Sequence, residues 1–377
     1  MRGWRLGWLA GLVGMACVCP ASVRAGGLLQ PSDYTAIAPS LAQSGFYFIN
    51  TSGATPTMTL DDGTVLKGTL DPTGQVAVFA FGSINLGNDP IVDVSGSRAV
   101  AILSEGNFTV SEGFSTSVSA TNNTNSYAGG STPGPGGFAS GGPGQGDGGP
   151  VSGGGGGYGG AGGSGGGGAY VGEGPPPFGS GIYSGGSGGS TYGLKTPGLI
   201  GGSAGGSSYF GWTPGAGGGA IEFGAGGALS LSYLSVQANG GNGQLTAGGG
   251  SGGEVAFLGQ SVSLIGSSIT AQGGQGGQAT SIGGPDGWNL GYGGNGGGGL
   301  VQIQSNSIDL GSSAFNLSGA SNGVISEFNS NGSFIGFGGG TGGGTGAVPE
   351  PSSLVMAGIA TLAGVATGLV RRRSRAA

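Results

Sequence analysis

The sequence predicts an all-β chain: a parallel β-helix or related solenoid, with a long glycine-rich insertion and one C-terminal transmembrane helix. Three observations predict it. Three stretches after Gly219 carry the same series of alternating apolar pairs, the pattern of strands that stack on copies of themselves. Glycine supplies 101 of 377 residues and charged residues only 7%, yet 36% are hydrophobic, so a core can form while glycine concentrates elsewhere. Near the C-terminus an uncharged apolar run, 354–370, meets a cluster of arginines.

The repeats come first. In 220–241 the pairs are Ile221/Phe223, Leu229/Leu231 and Val236/Ala238. In 254–274 they are Val255/Phe257, Val262/Leu264 and Ile269/Ala271. In 300–320 they are Val301/Ile303, Ile308/Leu310 and Phe315/Leu317. The step from second to third pair is constant: Leu231 to Val236, Leu264 to Ile269, Leu310 to Phe315. A unit of roughly 20 residues with three two-sided strands buries nothing alone, but stacked units share one continuous core. Outward Ser, Thr, Gln and Asn then keep a weakly charged chain soluble. The same pattern predicts one coil through Val78, Ala80, Ile84, Leu86, Val92 and Val94, and another through Val100, Ile102, Phe108, Val110, Val118 and Ala120. A weaker copy uses Phe46, Phe48, Met58, Leu60 and Val65.

These assignments divide the body into N-terminal coils at 26–120, a low-complexity insertion at 121–219, C-terminal coils at 220–325 and a glycine-rich linker at 326–346. Ordering glycine is entropically costly. The insertion therefore reads as an excursion from a coil edge, disordered or tethered by a few aromatics, and removable without loss of the coils.

The termini read as targeting segments. Residues 1–25 read as a signal peptide: Arg2 and Arg5 precede an apolar run from Leu6 to Val18, and Val23-Arg24-Ala25 precedes a cut between Ala25 and Gly26, with a cut after Ala21 as the alternative. Both cysteines, Cys17 and Cys19, lie in this leader, so the mature chain has no disulfide framework. At the other end, 354–370 is just long enough to span a bilayer. Arg371, Arg372, Arg373 and Arg375 set its orientation, because positive charge stays on the cytoplasmic side. Within the helix, Gly364 and Gly368 form a pair that could pack two helices together.

The order Val348-Pro349-Glu350-Pro351, apolar helix, arginine cluster resembles the PEP-CTERM sorting signal of bacterial surface proteins, here over 347–377. The resemblance implies transient contact with secretion machinery and an exosortase. It also implies anchoring in the inner membrane, processing near Pro349-Glu350-Pro351, and passage to the cell surface or exopolysaccharide matrix of a Gram-negative-type bacterium. The body resembles glycine-rich, haemagglutinin-like β-helical surface proteins, a likeness of pattern that implies a structural or adhesive role.

Composition narrows the chemistry. With no histidine, neither a Ser-His-Asp nor a Cys-His arrangement can form, and zinc sites built on His or Cys are excluded from the mature chain. Between leader and tail only Lys67, Arg98 and Lys195 stand against 15 acidic residues, so nucleic acid is not an expected partner. No cofactor or metal site is expected. The alternative to a structural role is a carbohydrate-binding or polysaccharide-degrading β-helix. For a glycosidase the candidate carboxylates are Asp61/Asp62, Asp89/Asp93 and Glu105/Glu112; a calcium-dependent polysaccharide lyase would want acidic ligands plus a basic residue, for which only Arg98 and Lys67 are near. Each carboxylate reads first as a turn or solvent-facing residue, so the chain is expected not to be an enzyme. Aromatics along one outward face would favour binding; carboxylates converging in a cleft would favour hydrolysis.

Overall fold

The computed structural model describes residues 28–42, 45–87, 89–121, 142–170, 181–192, 198–208, 211–278, 280–282, 288–328 and 334–338. The leader, Ala25 and Gly26, Lys195, and the 347–377 signal with Pro349, Glu350, Pro351 and its arginines lie outside these residues. Among the described residues no helix is long and apolar enough to cross a membrane; the single helical turn is Pro31–Asp33.

The chain is all-β with extensive parallel pairing. It visits three sheets in turn. Val76–Phe81, Ile84–Leu86 and Ile91–Ser95 enter the first, second and third sheet. Ala99–Ser104, Phe108–Val110 and Phe114–Ser117 follow in the same order. After the insertion the circuit resumes with Ala220–Ala225, Ala228–Ser232 and Leu234–Gln237. It runs twice more, through Glu254–Leu258, Ser261–Ile265 and Ser268–Thr270, then Leu300–Gln304, Ser307–Asp309 and Ala314–Asn316. Antiparallel strands close the ends of the first sheet: Thr69–Leu70 beside Val76–Phe81, and Phe334–Gly338 beside Val324–Phe328. Such capping removes open parallel edges.

Register follows the repeats. Ile221 pairs with Val255 and Val255 with Val301; Leu229 with Val262 and Val262 with Ile308; Val236 with Ile269 and Ile269 with Phe315. Side chains of like position therefore stack into ladders facing one common core. Phe223 stacks on Phe257 with ring centroids 5.8 Å apart, and Phe108 and Phe114 meet Phe223 edge-on at 6.1 and 5.6 Å. Edge-to-face and offset contacts are the favoured aromatic geometries.

Two early strands sit one residue out of the expected phase. Tyr47 and Ile49 enter the core, while Phe46 and Phe48 are 63% and 46% exposed. Ala77, Phe79 and Phe81 face the common core, while Val78 and Ala80 are buried on the opposite side of the sheet. A one-residue slip exchanges the two faces of a strand. Here both alternating sets are apolar, so the period alone does not set the phase. Met58 and Leu60 are buried as expected, and Val65 is exposed.

The opposite side of the first sheet departs further from expectation. Its outer row runs Val78, Ala101, Glu222, Ala256, Gln302, Ser326 in register, and every member is buried. Residues 28–34 and the glycine-rich stretches cover it, with Leu28 and Leu199 buried against the outer row and its neighbours.

The glycine-rich stretches form a body of their own. Gly153 and Gly156 N–H donate to Thr246 and Gly249 O; Gly154 and Gly157 donate to Asp147 and Gly144; Gly155 donates to Gly163. Three successive residues thus address three different neighbours, and the next returns to the first. Antiparallel partners obey the same rule: Gly160, Gly163 and Gly166 donate to Gly298, Asn295 and Tyr292. A step of three is the turn of a polyproline II helix, which makes no hydrogen bonds within itself. Its neighbours supply them here, in a bundle built from both the insertion and the stretches 239–253, 273–277 and 291–299. The chains approach so closely that a Cβ on Gly155 would run into Asn295 O, and one on Gly248 into Gly154 O.

Where a disordered or loosely tethered excursion was expected, the described parts of the insertion are hydrogen-bonded into the bundle and cover the first sheet. Gly-Gly-X spacing marks the bundle in the sequence. In Ser184, Ser187 and Ser190, as in Asn289, Tyr292 and Asn295, the non-glycine residue recurs every third position and is exposed. We expect Gly248→Ala to destabilise the protein by about 3 kcal/mol through overpacking against backbone. Gly87→Ala, whose Cβ would meet only Ser111 Oγ at 3.4 Å, should be near neutral. Thermal melts of the two variants check this; equal shifts would contradict the close packing.

Candidate functional site

The carboxylates proposed from sequence stand apart. Asp61, Asp62, Asp93, Glu105 and Glu112 are exposed. Asp62 accepts a hydrogen bond from Thr64 N–H at 2.8 Å within its own turn. Asp89 sits at φ 51°, and its N–H donates to Glu112 O at 2.7 Å, a corner contact. Asp93 pairs with Phe48 and Ser117 on the outer face of the third sheet. Arg98 is engaged structurally: its Nε donates to Gly74 O at 2.8 Å and its Nη1 to Thr51 O and Gly53 O at 2.9 and 2.7 Å, tying two turns together. Lys67 is exposed at the end of Val65–Lys67. Among the described residues, no group of three or more acidic side chains could hold a metal ion.

A pair that sequence reasoning missed lies beneath the glycine bundle. Glu254 pairs with Ala220 and Glu222 with Ala256, so the two glutamates sit diagonally on neighbouring strands and the same sheet face. Both are fully buried. The Tyr158 hydroxyl donates to Glu254 Oε2 at 2.5 Å, and Ile200 N–H donates to the same oxygen at 3.2 Å. Leu29 N–H donates to Glu222 Oε1 at 2.9 Å. Tyr158 packs edge-on against Tyr192 at 4.8 Å, and the Tyr192 hydroxyl donates to Gly201 O at 2.9 Å. Glycine bundle, N-terminal segment and first sheet are thereby joined through two carboxyls.

Among the described residues no basic side chain bonds to either carboxyl. The second oxygens, Glu222 Oε2 and Glu254 Oε1, have no hydrogen-bond partner. Burial disfavours the charged form. Desolvation pushes Glu254 up from 4.5 to about 7, against the lowering effect of its bonds from Tyr158 and Ile200. Desolvation also holds Glu222 well above the usual carboxylate range, and the charge of Glu254 raises it further. Tyr158 is raised by its own burial, then by Glu254. A carboxyl titrating near neutrality is what a general acid needs, but neither glutamate exposes surface to a substrate.

The pair makes stability depend on pH. The folded state keeps protons on these carboxyls that the unfolded chain releases above about pH 4.5. Their contribution is therefore full below pH 4.5 and is lost as pH rises, for Glu254 through about 7. For Glu254 the loss is of order 3 kcal/mol. Melts in a buffer series should show the midpoint falling from pH 4.5 to 8, with Glu254→Gln flattening the part near neutrality. An unchanged slope in that variant would reassign the effect.

The exposed surface has its own pattern. On the outer face of the third sheet Phe46 lies beside Ile91, and Phe48 beside Asp93. Beyond them the rows continue through Ser115, Ser235 and Ser268, and through Ser117, Gln237 and Thr270. On the second sheet Asn85, Thr109, Ser230 and Ser263 form a similar polar row.

No family model matches the chain, and no curated protein or solved structure matches it either.

Proposed function

We propose that this chain is an exported cell-surface or extracellular-matrix protein with a structural or adhesive role, its body a parallel β-helix flanked by a polyglycine bundle. The observation that carries the reading is the tail: Val348-Pro349-Glu350-Pro351, the 354–370 apolar run and the arginines 371–373 and 375, in the order of an exosortase-sorted protein. The architecture supports it. Strands stacked in register in three sheets and a bundle fastened largely by backbone hydrogen bonds suit a structural unit. The acidic candidates for hydrolysis stand separately on turns and strands, which favours a non-catalytic role.

The reading is tested by replacing Pro349, Glu350 and Pro351 with alanine in the native host. The helix and arginines should still insert, leaving full-length protein in the inner membrane and none at the surface. Wild-type surface levels from this variant would overturn the proposal.

A further inference from the structure

The glycine bundle carries a hollow of about 510 Å³, lined by Gly163, Ser164, Gln275, Gly276, Gln278, Tyr292, Gly293, Gly294, Asn295 and Ala320. We propose that this hollow is a binding site for a neutral, extended glycan.

The lining points there by its chemistry. It contains no charged side chain. Its polar groups are two hydroxyls, of Ser164 and Tyr292, and three carboxamides, which both donate and accept hydrogen bonds, as sugar hydroxyls do. Ser164, Gln275 and Gln278 make no side-chain hydrogen bond among the described residues, so their bonding capacity faces outward. Asn295 is partly committed: its Oδ1 accepts from Gly276 N–H at 2.8 Å and fixes the floor. Tyr292 is 61% exposed and offers an aromatic face to the C–H face of a sugar ring, with a polar tip beyond it. Small-molecule sites have volumes of about 300–1,000 Å³ and a few placed polar groups. Apart from Tyr292 only the Ala320 methyl is apolar, too little to anchor a hydrophobic peptide side chain.

The bundle's geometry adds an argument for an extended chain. Gln275 and Gln278 are successive X residues of one Gly-Gly-X strand, and Tyr292 and Asn295 of another. In a polyproline II helix, residues three apart lie about 9.3 Å apart along the axis. That interval is close to a disaccharide repeat in an extended polysaccharide, so neighbouring sugar pairs would meet equivalent side chains. The acidic body disfavours polyuronates.

This names a matrix partner for the proposed adhesive role and rests on that reading only for where the protein works; binding itself is independent of export. The test uses the full chain purified in detergent. Its affinity is measured by calorimetry against oligosaccharides of β-1,4-linked glucose, α-1,4-linked glucose and N-acetylglucosamine, with oligogalacturonate and an uncharged Ser/Gln/Leu peptide as comparisons. At least one neutral glycan should bind. Tyr292→Ala should weaken it about tenfold or more, Tyr292→Phe should retain it, and Gln278→Ala should weaken it to a lesser degree. Phe46→Ala, on the third sheet, should leave it unchanged. All variants should melt as wild type. Binding lost in Phe46→Ala but not in Tyr292→Ala would overturn the proposal, as would preference for oligogalacturonate or peptide, or no neutral glycan bound. Failure here with normal sorting of the wild type would leave the surface-protein reading standing; the reverse would leave the site standing.

Discussion

A chain in which a short Gly-Ser linker joins Ala120 directly to Ala220 is expected to lose its cooperative melt. Two consequences of the deletion act together. The outer row of the first sheet loses Leu199 and Tyr158, exposing Leu300 and Ala256 and leaving Glu254 without its two donors. The remaining glycine strands lose the partners that order them: Gly248, Ser251, Gly294 and Gly297 donate to Gly206, Ser203, Gly153 and Gly156. A polyglycine strand without neighbours has no reason to stay fixed, since ordering each residue costs about 1–2 kcal/mol. Circular dichroism should retain strand signal with a broad transition, and a hydrophobic dye should bind. A sharp melt close to that of the full chain would show that the three sheets stand alone.

The second large effect belongs to the common core. Leu229 is fully buried, between Phe108 and Val262 in its ladder. Leu229→Asp would place a carboxylate with no partner there, at a cost of about 3–5 kcal/mol. That should lower the melting midpoint by roughly 5 °C or more. Ser230, beside Thr109 and Ser263, is partly exposed. Ser230→Asp should change the midpoint by only a degree or two. Similar losses in the two variants would refute the register.

Most of the register was legible wherever an apolar residue alternated with a polar one. In Leu229-Ser230-Leu231 and Val262-Ser263-Leu264 the inward set is unambiguous, and the aligned pairs meet as read. Legibility failed where both sets are apolar. Phe46-Tyr47-Phe48-Ile49 offers two phases of equal hydrophobicity, and Val76–Phe81 offers two as well. Such runs often mark a strand buried on both faces, as Val76–Phe81, Ala99–Ser104 and Glu254–Leu258 are, whereas Phe46 and Phe48 stay exposed. The cover over the first sheet was therefore written in the strands. What supplied it was obscured because glycine was weighed only as an entropic cost, not as the one residue that lets backbones hydrogen-bond at contact distance. The three-residue spacing of Gln272, Gln275 and Gln278 was the available sign. The buried glutamates were missed for a related reason: alternation places them outward, and outward normally means wet.

The bundle separates two kinds of position. Glycines facing a neighbouring backbone, such as Gly155 and Gly248, admit no side chain. The X residues, such as Ser187, Gln275 and Tyr292, point away from every hydrogen-bonded neighbour and are exposed. Because the fastening is mostly main chain, exposed X residues such as Ser187 and Tyr292 can be exchanged without loosening the strands, whereas a few, such as Asn295, whose Oδ1 accepts from Gly276 N–H, help to hold them. Such a framework works like a pegboard: a lattice of fixed holes in which pegs can be exchanged one at a time. A lineage carrying it could change what its surface touches while leaving its frame untouched.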